Sequence, residues 1–194
     1  MFWEQKVNRY FSARSGVYQR KSKSGIWNKI RNLEASTVLK ALDLTEKDQV
    51  LEIGCGSGYY SMLIQDKVSN LMSIDKNAAM IAAANRYGVK AVVAGVADIE
   101  DETFDKVLLA GVIEFAIDPS GLVSKAQKKL KIGGRLVILY PRQGLVGLGY
   151  QWFHRLLGCP VQSGKSITKI FSDKGWSREK AGPLAWCSVW QNNG

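Results

Sequence analysis

Histidine occurs once in this chain, as His154, and cysteine three times, as Cys55, Cys159 and Cys187. An odd number of cysteines without metal-ligand spacing indicates neither a disulfide framework nor a zinc site, and no metal is expected. Apolar runs are short, and none reaches the length of a membrane span. Residues 1–10 are polar and charged, unlike a secretory leader, so the cytoplasm is the expected compartment. Acidic side chains are scarce: 17 stand against 27 basic ones, a net charge of +10. The imbalance is concentrated near the start, where Lys6, Arg9, Arg14, Arg20, Lys21, Lys23, Lys29 and Arg31 are set against Glu4 alone. A basic arm carrying aromatic residues suits an anionic partner, whether an acidic small molecule, a membrane surface or nucleic acid. It suits a solvated amphipathic helix equally well. At 194 residues the chain supports one full core and not two.

Glycine is abundant where it matters. Residues 48–58 read Asp-Gln-Val-Leu-Glu-Ile-Gly-Cys-Gly-Ser-Gly. Val50, Leu51 and Ile53 make the short apolar run of a buried parallel strand, and Glu52 among them needs a partner. Gly54, Gly56 and Gly58 then alternate through a turn, where glycine permits positive φ and admits a ligand to bare backbone. Apolar residues resume at helical spacing from Tyr59, giving a strand, a glycine turn and a helix. The third glycine stands one residue earlier than in the dinucleotide pattern G-x-G-x-x-G, leaving Glu-x-Gly-x-Gly-x-Gly.

Taken in order, residues 1–46 are expected to form two helical pieces lying across the sheet as a lid. A core follows over 47–140, then a helical insertion on the substrate side over 141–176 and a closing strand pair over 177–194. Strands are expected at 71–74, 91–94, 104–110 and 135–140, with Asn77 capping a helix and Gly133 stopping another. Asp75 lies 17 residues beyond Gly58, near where an acid in related folds accepts a ribose diol. Leu145, Leu148, Trp152 and Leu156 share one helical face, with Gln151, His154 and Arg155 as a narrow polar stripe. That segment suits a pocket wall, an interfacial helix or a core-packed helix, the last being preferred. Alternating strands and helices imply a parallel sheet covered on both faces, with ligands at the carboxyl ends of its strands.

Residues 30–140 resemble the class I S-adenosylmethionine-dependent methyltransferases. The likeness rests on Glu52, Gly54, Gly56 and Gly58, on Phe104-Asp105 opening the fourth strand, and on Leu130 with Gly133-Gly134 before the fifth. It implies a Rossmann-like α/β fold: a seven-stranded, mostly parallel sheet with helices on both faces, an antiparallel C-terminal strand pair and an N-terminal helical lid. Residues 10–18 resemble a stretch of methyltransferases acting on quinone and biotin precursors, which points to Tyr18 closing over the cofactor. They also resemble magnesium-protoporphyrin methyltransferases, which points to Tyr10 instead. Phe115 stands where that second group carries a histidine, against a porphyrin carboxylate as substrate. The resemblance implies S-adenosylmethionine as cofactor, held by Tyr18, Glu52, Gly54, Cys55, Gly56, Gly58, Asp75, Lys76, Asp98, Ile99 and Ala110.

Methyl transfer is an in-line displacement at a carbon that the cofactor has already activated, so no triad or metal cluster is required. A base for the acceptor's proton is drawn from Tyr10, Glu114 and His154. The expected acceptor is a small lipophilic or anionic metabolite, with a peripheral membrane contact through the basic lid and residues 145–157 as a further expectation. RNA or protein methylation is the second reading, although no Asn-Pro-Pro-Tyr tetrapeptide follows the fourth strand, where Ala110-Gly111-Val112-Ile113 stands. A cofactor-binding regulatory module without turnover is the third. The oligomeric state is left open.

Overall fold

The computed structural model describes residues 2–15, 25–172 and 175–194. Seven strands form one sheet in the order β3-β2-β1-β4-β5-β7-β6. They are β1 (Gln49–Ile53), β2 (Asn70–Asp75), β3 (Ala91–Val93), β4 (Phe104–Ala110), β5 (Leu130–Pro141), β6 (Trp176–Ala181) and β7 (Ala185–Gln191). The helices are α1 (Phe2–Ser12), α2 (Gly25–Leu42), α3 (Tyr59–Ile64), α4 (Ala78–Arg86), α5 (Pro119–Lys128), α6 (Leu145–Leu156) and α7 (Gly164–Ile170). β1 to β5 pair in parallel, and β7 runs antiparallel to both β5 and β6. Strand order reverses between β1 and β4, so their carboxyl ends open side by side, the place where such sheets hold ligands.

Both sheet faces are buried, and successive residues supply them in turn. Leu51, Val107, Leu109, Leu136 and Ile138 point to one face, where Val123 and Ala126 of α5 and Ile167 of α7 cover them. Val50, Leu108, Val137 and Leu139 point to the other, under α2 and α3. This period-two alternation of apolar side chains, all buried, is what a central parallel strand requires.

Three expectations are corrected. The segment 1–46 is not a single lid: α2 packs Ala35, Val38, Ala41 and Leu42 against the sheet face. Of the described residues in this segment, those of α1 lie at the carboxyl ends, bonded to Asn77 and Phe115. The helix before β5 ends at Lys128, with the Lys129 N–H bonded to the Ala126 carbonyl. Gly133 therefore stops no helix. It sits within β5 at φ +80°, where the register against β4 shifts between Phe104 and Lys106. Its N–H is bonded to the Asn192 carbonyl at 2.7 Å. Finally, α6 is not core-packed along its apolar face. Leu145, Leu148, Trp152 and Leu156 are exposed, while His154 from the polar stripe is buried.

Leu42, completely buried between α2 and the sheet, separates a face helix from a lid. Leu42→Ala is expected to lower unfolding free energy by about 2–5 kcal/mol, read by urea denaturation. A loss under about 1 kcal/mol would mean that α2 is not part of the core.

Candidate functional site

The glycine turn follows β1 at the strand-order reversal. The Gly54 and Cys55 N–H groups both donate to the Ile74 carbonyl, at 2.8 and 3.0 Å, binding the turn to the end of β2. Each glycine has its own reason to be there. A Cβ on Gly54 would sit 2.5 Å from a methyl of Val112, which follows β4. One on Gly58 would press on Val89 and Ala84 beneath α4. A Cβ on Gly56, by contrast, would meet nothing within 4 Å. Gly56 holds φ at +55° beside open space, as backbone presented to a ligand does.

Asp75, half-buried at the tip of β2, accepts the Gly56 N–H on Oδ2 at 2.9 Å and the Asn77 N–H on Oδ1 at 2.8 Å. Burial pushes its carboxyl above the usual value, and the two N–H bonds only partly offset this. Each oxygen keeps a second lone pair for a hydroxyl. Beyond the tip of β3 lies a cavity of about 380 Å³. Its walls are Lys76, residues 93–98 and Lys125. The exposed Lys76 reaches Glu4 of α1 at 3.4 Å. Asp98 Oδ2 accepts the Gly95 N–H at 2.8 Å and shapes that wall. Ile99 packs against the core instead, and Ala110 closes β4 half-buried.

Two residues expected to touch the ligand face inward. Oε2 of Glu52 accepts the Ser61 hydroxyl at 2.5 Å and the Ser73 hydroxyl at 3.1 Å, tying α3 and β2 beneath the turn. Burial raises its carboxyl to about 7. Its visible role is support of the turn from below. The Cys55 side chain points into the cluster of Ile81, Ala84 and Val89, so only its backbone belongs to the turn. Tyr18 lies outside the described residues.

Residues 51–138, from the strand before the glycine turn to β5, match a family model described as a methyltransferase domain. This stretch is similar to a methyltransferase domain. Over 106 residues the chain is 36% identical to the protein-L-isoaspartate O-methyltransferase of Petrotoga mobilis, covering 52% of this chain and 49% of that one. The chain spans about half the length of the curated relatives it matches. Its fold is similar to a chain in the complex between the Haloferax volcanii Trm112 methyltransferase activator and a methyltransferase. There the TM-score is 0.74 at 16% identity, covering 95% of this chain and 98% of that one. It is also similar to geranyl diphosphate C-methyltransferase from Streptomyces coelicolor A3(2), solved with S-adenosyl-L-homocysteine, with TM-score 0.69 and 12% identity over 86% and 80% of the two chains. At such identities the structural likeness is one of fold.

The matched stretch is roofed by residues outside it. Asn77 caps α4 by accepting the Met80 N–H, and its Nδ2 donates to Asn8 Oδ1 at 2.6 Å and to Ser12 Oγ at 3.0 Å. At the other end of α1, Trp3 Nε1 donates to the Phe115 carbonyl at 2.8 Å. These anchors stand beyond β2 and beyond β4, on either side of the β1 turn. Beside α1, the three residues considered as bases come together. Tyr10 and His154 have ring centroids 5.3 Å apart, and His154 also meets Phe115 and Tyr150. Tyr150 donates to Glu114 Oε1 at 3.2 Å, while Glu114 Oε2 and His154 Nδ1 are buried without a hydrogen-bond partner among the described residues. Burial raises the Glu114 carboxyl to about 7, and burial together with the Arg14 charge lowers His154 to about 4. The imidazole is therefore neutral at physiological pH, and the glutamate sits near its titration midpoint.

Tyr150, Val112, Ser61 and Ser73 were not found from the sequence. The serines carried a signal, since each interrupts an apolar run close to a buried glutamate that needed a donor. Tyr150 carried none, because it reads as one more aromatic on a greasy helix.

Glu52 and Glu114 give a pH prediction with a definite sign. Folded protein keeps protons on both that the unfolded chain releases near 4.5. The resulting stability is fully present below that value and lost as pH rises through about 7. The thermal midpoint is therefore expected to fall over this interval, and Glu52→Gln/Glu114→Gln to flatten the fall. An unchanged pH profile in the double variant would mean that neither carboxyl holds its proton in the folded state.

Proposed function

We propose that the chain is an enzyme that transfers a methyl group from S-adenosylmethionine to a small lipophilic or anionic acceptor. The observation that carries this reading is the open side of Gly56 beside Asp75. Bare backbone and a carboxylate short of partners meet there at the strand-order reversal. In this reading residues 54–58 admit the amino-acid part of the cofactor, Asp75 accepts the ribose hydroxyls, and the cavity walled by Lys76, Asp98 and Lys125 receives the base. The cofactor supplies a methyl carbon already bound to a sulfonium, a good leaving group. The chain has to align the acceptor, exclude water and take up its proton.

Residues 141–176 form the acceptor side in this reading, with α1 and α6 closing over the end of β4. Glu114 serves as base: Oε2 is unpartnered, Tyr150 fixes Oε1, and a carboxyl raised to about 7 exchanges a proton readily near neutral pH. Neutral His154 orients the acceptor through Nδ1 and does not compete for the proton. Tyr10 narrows the entrance. A protein carboxylate as acceptor is the second reading, supported by the likeness to a protein-L-isoaspartate O-methyltransferase. The enclosed setting of Glu114, His154 and Tyr150 favours the smaller acceptor.

Calorimetric titration with S-adenosylmethionine tests the proposal. The parent chain is expected to bind. Gly56→Val, which fills the open space, and Asp75→Ala are expected to weaken binding by about a hundredfold or more, with far-ultraviolet circular dichroism unchanged. Equal affinity in all three proteins would refute the site.

A further inference from the structure

The face of α6 that meets solvent is the one its sequence suits to burial. Leu145, Leu148, Trp152 and Leu156 are 89%, 61%, 68% and 67% exposed, and Phe153 and Leu157 extend the patch. The opposite face is already occupied. A Cβ on Gly147 would clash with the Arg142 carbonyl oxygen, and Tyr150 and His154 turn toward Glu114 and Phe115. The patch therefore cannot turn inward without breaking the Tyr150–Glu114 hydrogen bond. Contiguous apolar surface on this scale marks a docking face.

Charge identifies what docks there. From residue 119 to residue 172 the chain carries nine Lys/Arg and no Asp or Glu, and three of these cations are paired with acids away from α6: Lys129 with Asp101, Lys131 with Asp105 and Arg135 with Asp43. Arg155 lies on α6 itself and is exposed. Gln143 Nε2 donates to the Gly164 carbonyl at 2.8 Å, which brings the exposed Lys165 and the start of α7 beside the start of α6. On the other flank α1, joined to α6 through Tyr10 and His154, exposes Phe2, Lys6 and Arg9. Leucine, tryptophan and phenylalanine on one side of a helix edged by cations are the composition of helices that lie in a lipid headgroup layer. A second copy of the chain would bring two surfaces edged by Lys6, Arg9, Arg155 and Lys165 together, with Glu4 of α1 as the acid beside them, and charge repulsion opposes this. At 12 residues α6 is too short to span a bilayer, and no described helix is long and apolar enough to cross one.

We infer that the exposed face of α6, with its basic border, docks the protein flat on an anionic lipid bilayer. Docking in this way needs no cofactor and stands apart from the methyl-transfer reading. The full chain is floated through a density gradient with vesicles of equimolar phosphatidylcholine and phosphatidylglycerol, and with vesicles of phosphatidylcholine alone. Flotation with the anionic vesicles is expected, at least about tenfold weaker with the neutral ones. Leu148→Glu/Trp152→Glu is expected to lower anionic binding by at least about tenfold. Ile132→Glu, an equally exposed position at the far end of β5, should leave it unchanged. Thermal midpoints are read for every variant, and all of the altered side chains are exposed. Failure of the parent to float with the anionic vesicles overturns the inference, as does equal flotation of the parent and Leu148→Glu/Trp152→Glu. A parent that stays in solution as a dimer and becomes a monomer in that variant also overturns it, assigning the face to a second copy.

Discussion

The Asp75 carboxylate joins two turns that would otherwise be independent, since one oxygen accepts the Gly56 N–H and the other the Asn77 N–H. Through Gly56 it fixes the exit from β1, and through Asn77 the start of α4 and the position of α1. Hydrogen bonds to a charged acceptor contribute about 1.5–3 kcal/mol each, enough to hold both turns in one arrangement. Burial still leaves the carboxyl above its usual value, so the two bonds do not fully compensate its desolvation. The carboxyl stands next to Gly56, whose backbone no described side chain covers. The open side of Gly56 and the unfilled capacity of Asp75 are two aspects of one constraint.

A second level of organisation lies beneath and beside this one. Glu52 is held by Ser61 and Ser73 under the turn, so a carboxyl raised to about 7 sits in the core as a bracket between β1, α3 and β2. Glu114 has a similar value from the same cause, but only one of its oxygens is bonded. That contrast distinguishes the two acids better than either value alone. It also accounts for the orientation of α6. Tyr150 and His154 face Glu114 and Phe115, and helix geometry then carries Leu148, Trp152 and Leu156 outward. The greasy surface is a consequence of turning those two residues inward.

Much of this was legible in the chain. β4 was read with the boundaries it has, because Phe104-Asp105 precedes an apolar run, Val107 to Ala110, closed by Gly111. The glycine turn, the Asn77 cap and the acid at the tip of β2 were read because each is a local requirement met by few residue types. The errors share a cause. Periodicity tells which residues of a helix lie together, not which way that face points, so a core-packed α6 was preferred over an interfacial one and α2 was placed over the sheet's end. Gly133 was read as a helix stop because a positive-φ glycine serves a strand irregularity as well as a C-cap. Glu52 was given to the ligand because its serine partners lie 9 and 21 residues away in sequence. Only the fold brings them to it.

A crystal of the chain soaked with S-adenosylhomocysteine examines the cradle most directly. The account predicts the ribose hydroxyls on Asp75, the amino-acid part against the backbone of residues 54–58, and the base in the cavity beside Lys76 and Asp98. An empty turn at saturating ligand, or a nicotinamide dinucleotide retained from the cell in that position, would contradict it.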